Sequence, residues 1–135
     1  MKKTILKTIL FLLSLNLLAQ SPANLEDIPK VIVTANGIEE GNNKVTKEQL
    51  LNAHRLTAYS KLEKYYVMSY NVTFTNKLGE FSRKIKRDRF NEYVKDAITN
   101  TPKNGTIIFS NIKIAKPGDM KRITIPEPLI YKIIE

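Results

Sequence analysis

The chain has 135 residues, with 22 Lys and Arg against 13 Asp and Glu, a formal charge of +9, one histidine and no cysteine. That length suits a single domain. The lack of cysteine excludes disulfides, thiol nucleophiles, thiolate metal sites and lipid attachment at a thiol.

The first segment reads as an export signal. Lys2, Lys3 and Lys7 supply a positive start, and Ile9-Leu10-Phe11-Leu12-Leu13, Leu15 and Leu17-Leu18 supply the apolar stretch. Ala19-Gln20-Ser21-Pro22-Ala23 is a small-residue exit, and the cut falls after Ala19, Gln20 or Ala23. The competing reading is a membrane anchor, which needs about 20 apolar residues. This run is shorter and is broken by Ser14 and Asn16. The expectation is therefore a signal over residues 1–20, removed on export, with no stable anchor afterwards. The 22 basic residues less Lys2, Lys3 and Lys7 leave 19 against 13 acidic ones, a net charge of +6. About 115 residues remain, enough for one modest core. A basic balance of this size permits an acidic protein, lipopolysaccharide or nucleic acid as partner and selects none of them.

Residues 21–29, bracketed by Pro22 and Pro29, read as a linker. The domain is expected over 30–135. Val31-Ile32-Val33-Thr34 is β-branched and strand-like. Asn36-Gly37 and Gly41-Asn42-Asn43 mark turns. Thr46-Lys47-Glu48-Gln49 is a capping box and predicts a short helix over 46–54, carrying Leu50, Leu51, Ala53 and His54. Leu56-Thr57-Ala58-Tyr59 continues that helix or is extended. In residues 66–75, Tyr66, Met68, Tyr70, Val72 and Phe74 alternate with polar neighbours and with Val67, which predicts a strand with those five facing the core. Asn76-Lys77-Leu78-Gly79 closes a hairpin, and Phe81, Arg83, Ile85 and Arg87 alternate with Ser82, Lys84 and Lys86 in the return strand. Asp88 is placed to cap a second helix. On it Phe90, Tyr93, Val94, Ala97 and Ile98 make one apolar face, and Pro102 and Gly105 end it. Residues 106–114 predict a strand, Lys116-Pro117-Gly118-Asp119 a turn, and 122–125 and 129–134 the last extended segments. Pro126 and Pro128 suggest that these lie at a sheet edge. The fold class is α+β: a small antiparallel or mixed sheet of about five strands with two helices.

No catalytic set is visible. His54 has no cysteine or second histidine to work with, and a zinc site would have to be completed by carboxylates. Glu39-Glu40 lies in a Gly/Asn-rich loop that lacks the regular spacing of calcium loops. Phosphate loops, dinucleotide fingerprints and nucleophile elbows are absent. No cofactor and no metal are expected. The strongest charge feature is Arg83-Lys84-Ile85-Lys86-Arg87-Asp88-Arg89. Strand alternation divides its charges between two faces, Arg83 and Arg87 against Lys84 and Lys86, which favours a solvated strand over one concentrated patch.

The order of these segments resembles a known family. Pro29-Lys30-Val31-Ile32-Val33, the glycine loop and Val45-Thr46-Lys47-Glu48-Gln49-Leu50 resemble the opening of the C-terminal domain of GldM (PorM), a gliding-motility and type IX secretion family of Bacteroidetes. Tyr66-Val67-Met68-Ser69-Tyr70-Asn71-Val72-Thr73 resembles that domain's central strand, with Tyr70 where the family pattern has Phe. Gly105-Thr106-Ile107-Ile108-Phe109-Ser110-Asn111-Ile112-Lys113 resembles its Asn-Ile-Lys strand. Lys116-Pro117-Gly118-Asp119-Met120-Lys121-Arg122-Ile123 resembles its Gly-Pro-Asp-Gly turn, with Lys116 and a Gly118-Asp119 order as departures. The resemblance spans nearly all of 29–134. It implies a non-catalytic protein-interaction domain acting in the periplasm, or after secretion, on envelope proteins. In the family an anchor and further domains precede this one; here a signal alone is expected to. Candidate partner-binding residues are Arg83, Lys84, Lys86 and Arg87 on the return strand, and Lys116, Pro117, Gly118, Asp119 and Arg122 at the turn. The alternatives are a polyanion binder and a small hydrolase or inhibitor. Nucleic acid is not expected as a partner of an exported chain.

Overall fold

The computed structural model describes residues 30–119 and 121–135. The expected signal and linker, residues 1–29, lie outside them. Ten elements follow in order: β1 Ile32–Ala35, β2 Lys44–Val45, α1 Lys47–Ala53, β3 Leu56–Tyr59, β4 Lys64–Asn76, β5 Gly79–Lys86, α2 Glu92–Asn100, β6 Thr106–Ala115, β7 Ile123–Thr124 and β8 Leu129–Ile133. Among the described residues the class is α+β with two helices, as expected. The sheet is larger than the expected five strands: it has eight, in the order β1-β3-β4-β6-β8-β2, with β5 beside β4 and β7 beside β6. The surplus is in short pieces. β2 and β7 have two residues each, too few for a period of two to register in sequence.

Two long strands organise the sheet. β4 pairs with β6 along one edge, and its other edge is shared by β3 and then β5. Every pairing is antiparallel except β2 with β8. β8 therefore lies between β6 and β2 rather than at an edge, which corrects the expectation from Pro126 and Pro128. Those prolines fall between β7 and β8, where the missing amides interrupt no ladder.

The β4 face differs from the simple alternation. Tyr70, Val72 and Phe74 are buried as expected, but Tyr66 is 61% exposed and Met68 only half-buried, while Tyr65 and Val67 are buried instead. A bulge causes this. Val67 opposes Ile114 and Ser69 opposes Lys113, so Met68 is an extra residue on β4. Asn71 then opposes Ser110, so β6 carries a compensating extra residue, where Asn111 sits at φ 47°. The two offsets cancel and the register resumes. Each shifts the inward face by one residue, giving Tyr65, Val67, Tyr70, Val72 and Phe74 on β4 and Ile107, Phe109, Ile112 and Ile114 on β6.

Both helices cover this inward face. The α1 capping box forms, with Thr46 Oγ1 accepting from the Gln49 amide at 3.0 Å and Gln49 Oε1 from the Thr46 amide at 2.9 Å. α1 buries Leu50 and Ala53 and stops at His54, which takes a left-handed φ of 65°. The cap of α2 is Asn91, not Asp88, and its Oδ1 accepts from the Val94 amide at 3.0 Å. The reason is that 88–90 are already paired. The Leu56 amide donates to the Asp88 carbonyl, and the Phe90 amide to that of His54. α2 buries Val94, Ala97 and Ile98. Phe109 is the aromatic hub, with ring centroids 5.6 Å from Tyr70, 5.6 Å from Phe90 and 6.3 Å from Tyr131. The sheet curls until β8 reaches β1, where the Tyr131 hydroxyl accepts from the buried Ala35 amide at 2.8 Å.

Candidate interaction surface

The side of the sheet away from the inward core is read from the same register. Directly opposed residues share a face, which gives three rows. Ser82, Thr73, Ile108 and Ile130 make one; Lys84, Asn71 and Ser110 the next; Lys86, Ser69, Lys113 and Thr124 the third. Lys132 follows on β8, opposed by Thr106 on one side and Lys44 on the other. The face thus carries Lys44, Lys84, Lys86, Lys113 and Lys132 around an apolar spot, Ile108 beside Ile130, of which Ile130 is 43% exposed. Among the described residues none of these lysines makes an ion pair. Ser69, between Lys86 and Lys113, is only 3% exposed, and its hydroxyl has no hydrogen-bond partner among the described residues.

The sequence candidates fall in two places. Lys84 and Lys86 stand on this face. Arg83 is on the other side of β5, opposite buried Val72, with its guanidinium 4.4 Å from the centre of the Tyr93 ring. Arg87 follows the strand end at φ 70°, its amide donating to the Met68 carbonyl at 2.7 Å. The turn lies beyond the end of β6. Gly118 takes φ 79°, the Asp119 amide donates to the Lys116 carbonyl at 3.0 Å, and the Asp119 carboxylate accepts from the Lys121 amide at 2.9 Å. Lys116 pairs with Glu63 at 3.2 Å, and that hydrogen bond raises the ammonium above its ordinary value. Pro117 and Arg122 are exposed. The turn and the β5 lysines therefore do not form one cluster. The partners that the fold does bring to Lys84 and Lys86 are Lys113 and, further across, Lys132 and Lys44. Sequence reading missed these three, although alternation in β6 and β8 marks Lys113 and Lys132 as outward.

β5 is also a free edge. The Arg87 amide bonds to β4, so by alternation residues 85, 83, 81 and 79 turn their backbone groups to β4 as well. Those of Glu80, Ser82, Lys84 and Lys86 point away from it. The 3.0 Å contact of the Thr73 and Ser82 hydroxyls fits, since side chains approach most closely at a non-hydrogen-bonded pair.

Open depressions of about 370, 400 and 420 Å³ adjoin Asn36. The second is lined by His54 with Arg55, Arg89, Phe90 and Lys95, and no carboxylate lines it. Among the described residues no three His, Asp or Glu side chains gather as metal ligands, and no helix is long and apolar enough to cross a membrane. Among the described residues the geometry defines an α+β domain with one sheet face open, basic and apolar at its middle. No protein-family model matches the chain, and no curated protein matches it.

Proposed function

We propose that the chain is an exported, non-catalytic protein-interaction domain of the cell envelope, and that its open sheet face binds an acidic partner protein. The apolar spot at Ile108 and Ile130, ringed by lysines that lack partners among the described residues, carries this reading. An apolar centre within a charged rim is the anatomy of a protein interface. The resemblance of residues 29–134 to the C-terminal domain of GldM, and the signal-like start, support the compartment and the kind of partner. Crosslinking in intact cells from a photoreactive residue at position 130 tests it. The expected result is an adduct with an acidic envelope protein that is lost in Lys84→Glu/Lys132→Glu. Adducts that survive those changes, or none at all, refute it.

A polyanion is the second reading, favoured by Lys44 standing directly beside Lys132. It requires affinity for heparin that falls steeply with salt through counterion release. Loss of binding in Ile130→Ser, which leaves every charge in place, separates a protein partner from a polyanion.

A further inference from the structure

We infer that the chain pairs with a second copy of itself through β5, as a symmetric antiparallel strand pair with Ser82 on the two-fold axis. The edge is eight residues long and, among the described residues, pairs only with β4. Its outward backbone groups are those of Glu80, Ser82, Lys84 and Lys86. With Ser82 opposite itself, Glu80 of each copy opposes Lys84 of the other. All three outward pairs then exchange two main-chain hydrogen bonds each, about six in all. On the outer face this makes two ion pairs between Glu80 and Lys84. On the helix side Arg83 of each copy opposes Phe81 of the other. Phe81 is 38% exposed and stacked on Phe74 at 5.6 Å, so it offers a fixed ring to the incoming guanidinium.

The neighbouring registers match less well. Centring on Arg83 also brings Glu80 opposite Lys86, but it sets Arg83 against Arg83 on the helix side; centring on Lys84 sets Lys84 against Lys84, and centring on Phe81 leaves Lys84 without an acid. Like charges directly opposed are destabilising. Lysines on an edge strand ordinarily block pairing; here the block is conditional, because Glu80 of the second copy answers Lys84. Among the antiparallel two-fold pairings the charge pattern therefore favours the Ser82 register, which has the Glu–Lys pairs and no like pair. It leaves the open face of each copy free, so the pair presents two such faces side by side.

So few residues on each side fall well short of a standard interface of about 20–30, so the dimer is weak and the experiment runs over a wide concentration range. Sedimentation velocity on the chain purified as its host makes it is expected to show a reversible monomer–dimer equilibrium. Glu80→Lys and Lys84→Glu each weaken it by about tenfold, since two pairs turn from attraction to repulsion. The Glu80→Lys/Lys84→Glu double variant restores it. Ser82→Pro, which removes an outward amide and none that bonds β4, leaves a folded monomer by circular dichroism. A chain monomeric at every concentration overturns the inference. So does a dimer indifferent to the single reversals, or an edge that captures an acidic peptide while the chain stays monomeric. A monomer that still yields the position-130 adduct overturns the dimer alone and leaves the proposed function standing.

Discussion

Tyr131→Phe isolates what holds the curl of the sheet closed. Tyr131 is almost fully buried against Phe109, and its hydroxyl accepts from the Ala35 amide at 2.8 Å across the interior. Ala35 is itself fully buried, so water does not readily replace the lost oxygen. The substitution keeps the ring and its packing and leaves one buried N–H without a partner. That costs about 1–3 kcal/mol, a large part of the roughly 5–15 kcal/mol a domain commands. The melting temperature should fall by about 5–15 °C. Urea unfolding should show a lower midpoint with an unchanged slope, and hydrogen exchange at Ala35 should accelerate beyond the global loss. Tyr70→Phe is the comparison. There the hydroxyl donates to the Arg89 carbonyl at 3.0 Å, and a carbonyl left under-bonded costs less than an orphaned amide. A change in Tyr131→Phe below about 0.5 kcal/mol, with Ala35 still protected, would mean that the amide finds another acceptor and that packing alone closes the sheet.

Alkaline titration should expose both tyrosines. Burial raises Tyr70, with Asp88 adding to it, and burial raises Tyr131 against the opposing effect of the Ala35 amide. The unfolded chain ionises near the ordinary value of about 10, so this stability is complete below that pH and is lost as pH climbs from there towards the folded values. Urea midpoints between pH 8 and 11.5 should fall in the wild type and fall less in a Tyr70→Phe/Tyr131→Phe chain; a flat profile contradicts the burial. Asn111→Val should cost about 1–2 kcal/mol, because a β-branched residue resists φ of 47°, whereas Asn111→Gly should be near neutral; equal effects by urea unfolding would remove the left-handed bulge from the account. Asn91→Ala should cost about 1 kcal/mol through the lost helix cap, and Asp88→Ala clearly less, since the main-chain oxygen of Asp88 is what Leu56 uses; the reverse order would put the cap back at Asp88.

The helices and the long strands were legible because their signals are local. The capping box at Thr46 requires four adjacent residues and nothing from the rest of the chain, and it forms as read. The phase of β4 is not legible from a period of two, because that period breaks at the bulge. The clue was present: in β6 the spacing from Phe109 to Ile112 is three residues, with Asn111, a residue that tolerates left-handed backbone, between them. The same three-residue step separates Val67 from Tyr70. Asp88 looks like a cap in sequence because Asp is a favoured capping residue, whereas its main-chain pairing to Leu56 depends on a distant strand end. The return-strand lysines were found, but their neighbours on the face, Lys113, Lys132 and Lys44, depend on strand order. The parallel pairing of the two-residue β2 with β8 has no local signature at all.

That parallel pair bears on the proposed binding face. Lys44 opposes Lys132 in register while Val45 opposes Ile133, both of the latter fully buried. The apolar pair fixes the register, so the two ammonium groups are held on neighbouring strands with no choice of slip. Like charges so placed are destabilising, and an opposite pair is worth roughly 0.2–1 kcal/mol. Lys44→Glu should therefore stabilise the domain by about 0.5 kcal/mol in urea unfolding at low salt, and the gain should shrink at high salt as screening grows. The open-face reading adds a second expectation for the same variant: weaker capture of the acidic partner from position 130. Stabilisation with undiminished capture would take Lys44 out of the binding face. No stabilisation would mean that the two side chains splay apart freely. A variant that is at once more stable and less able to bind is the signature of a residue kept for its partner at the expense of the fold.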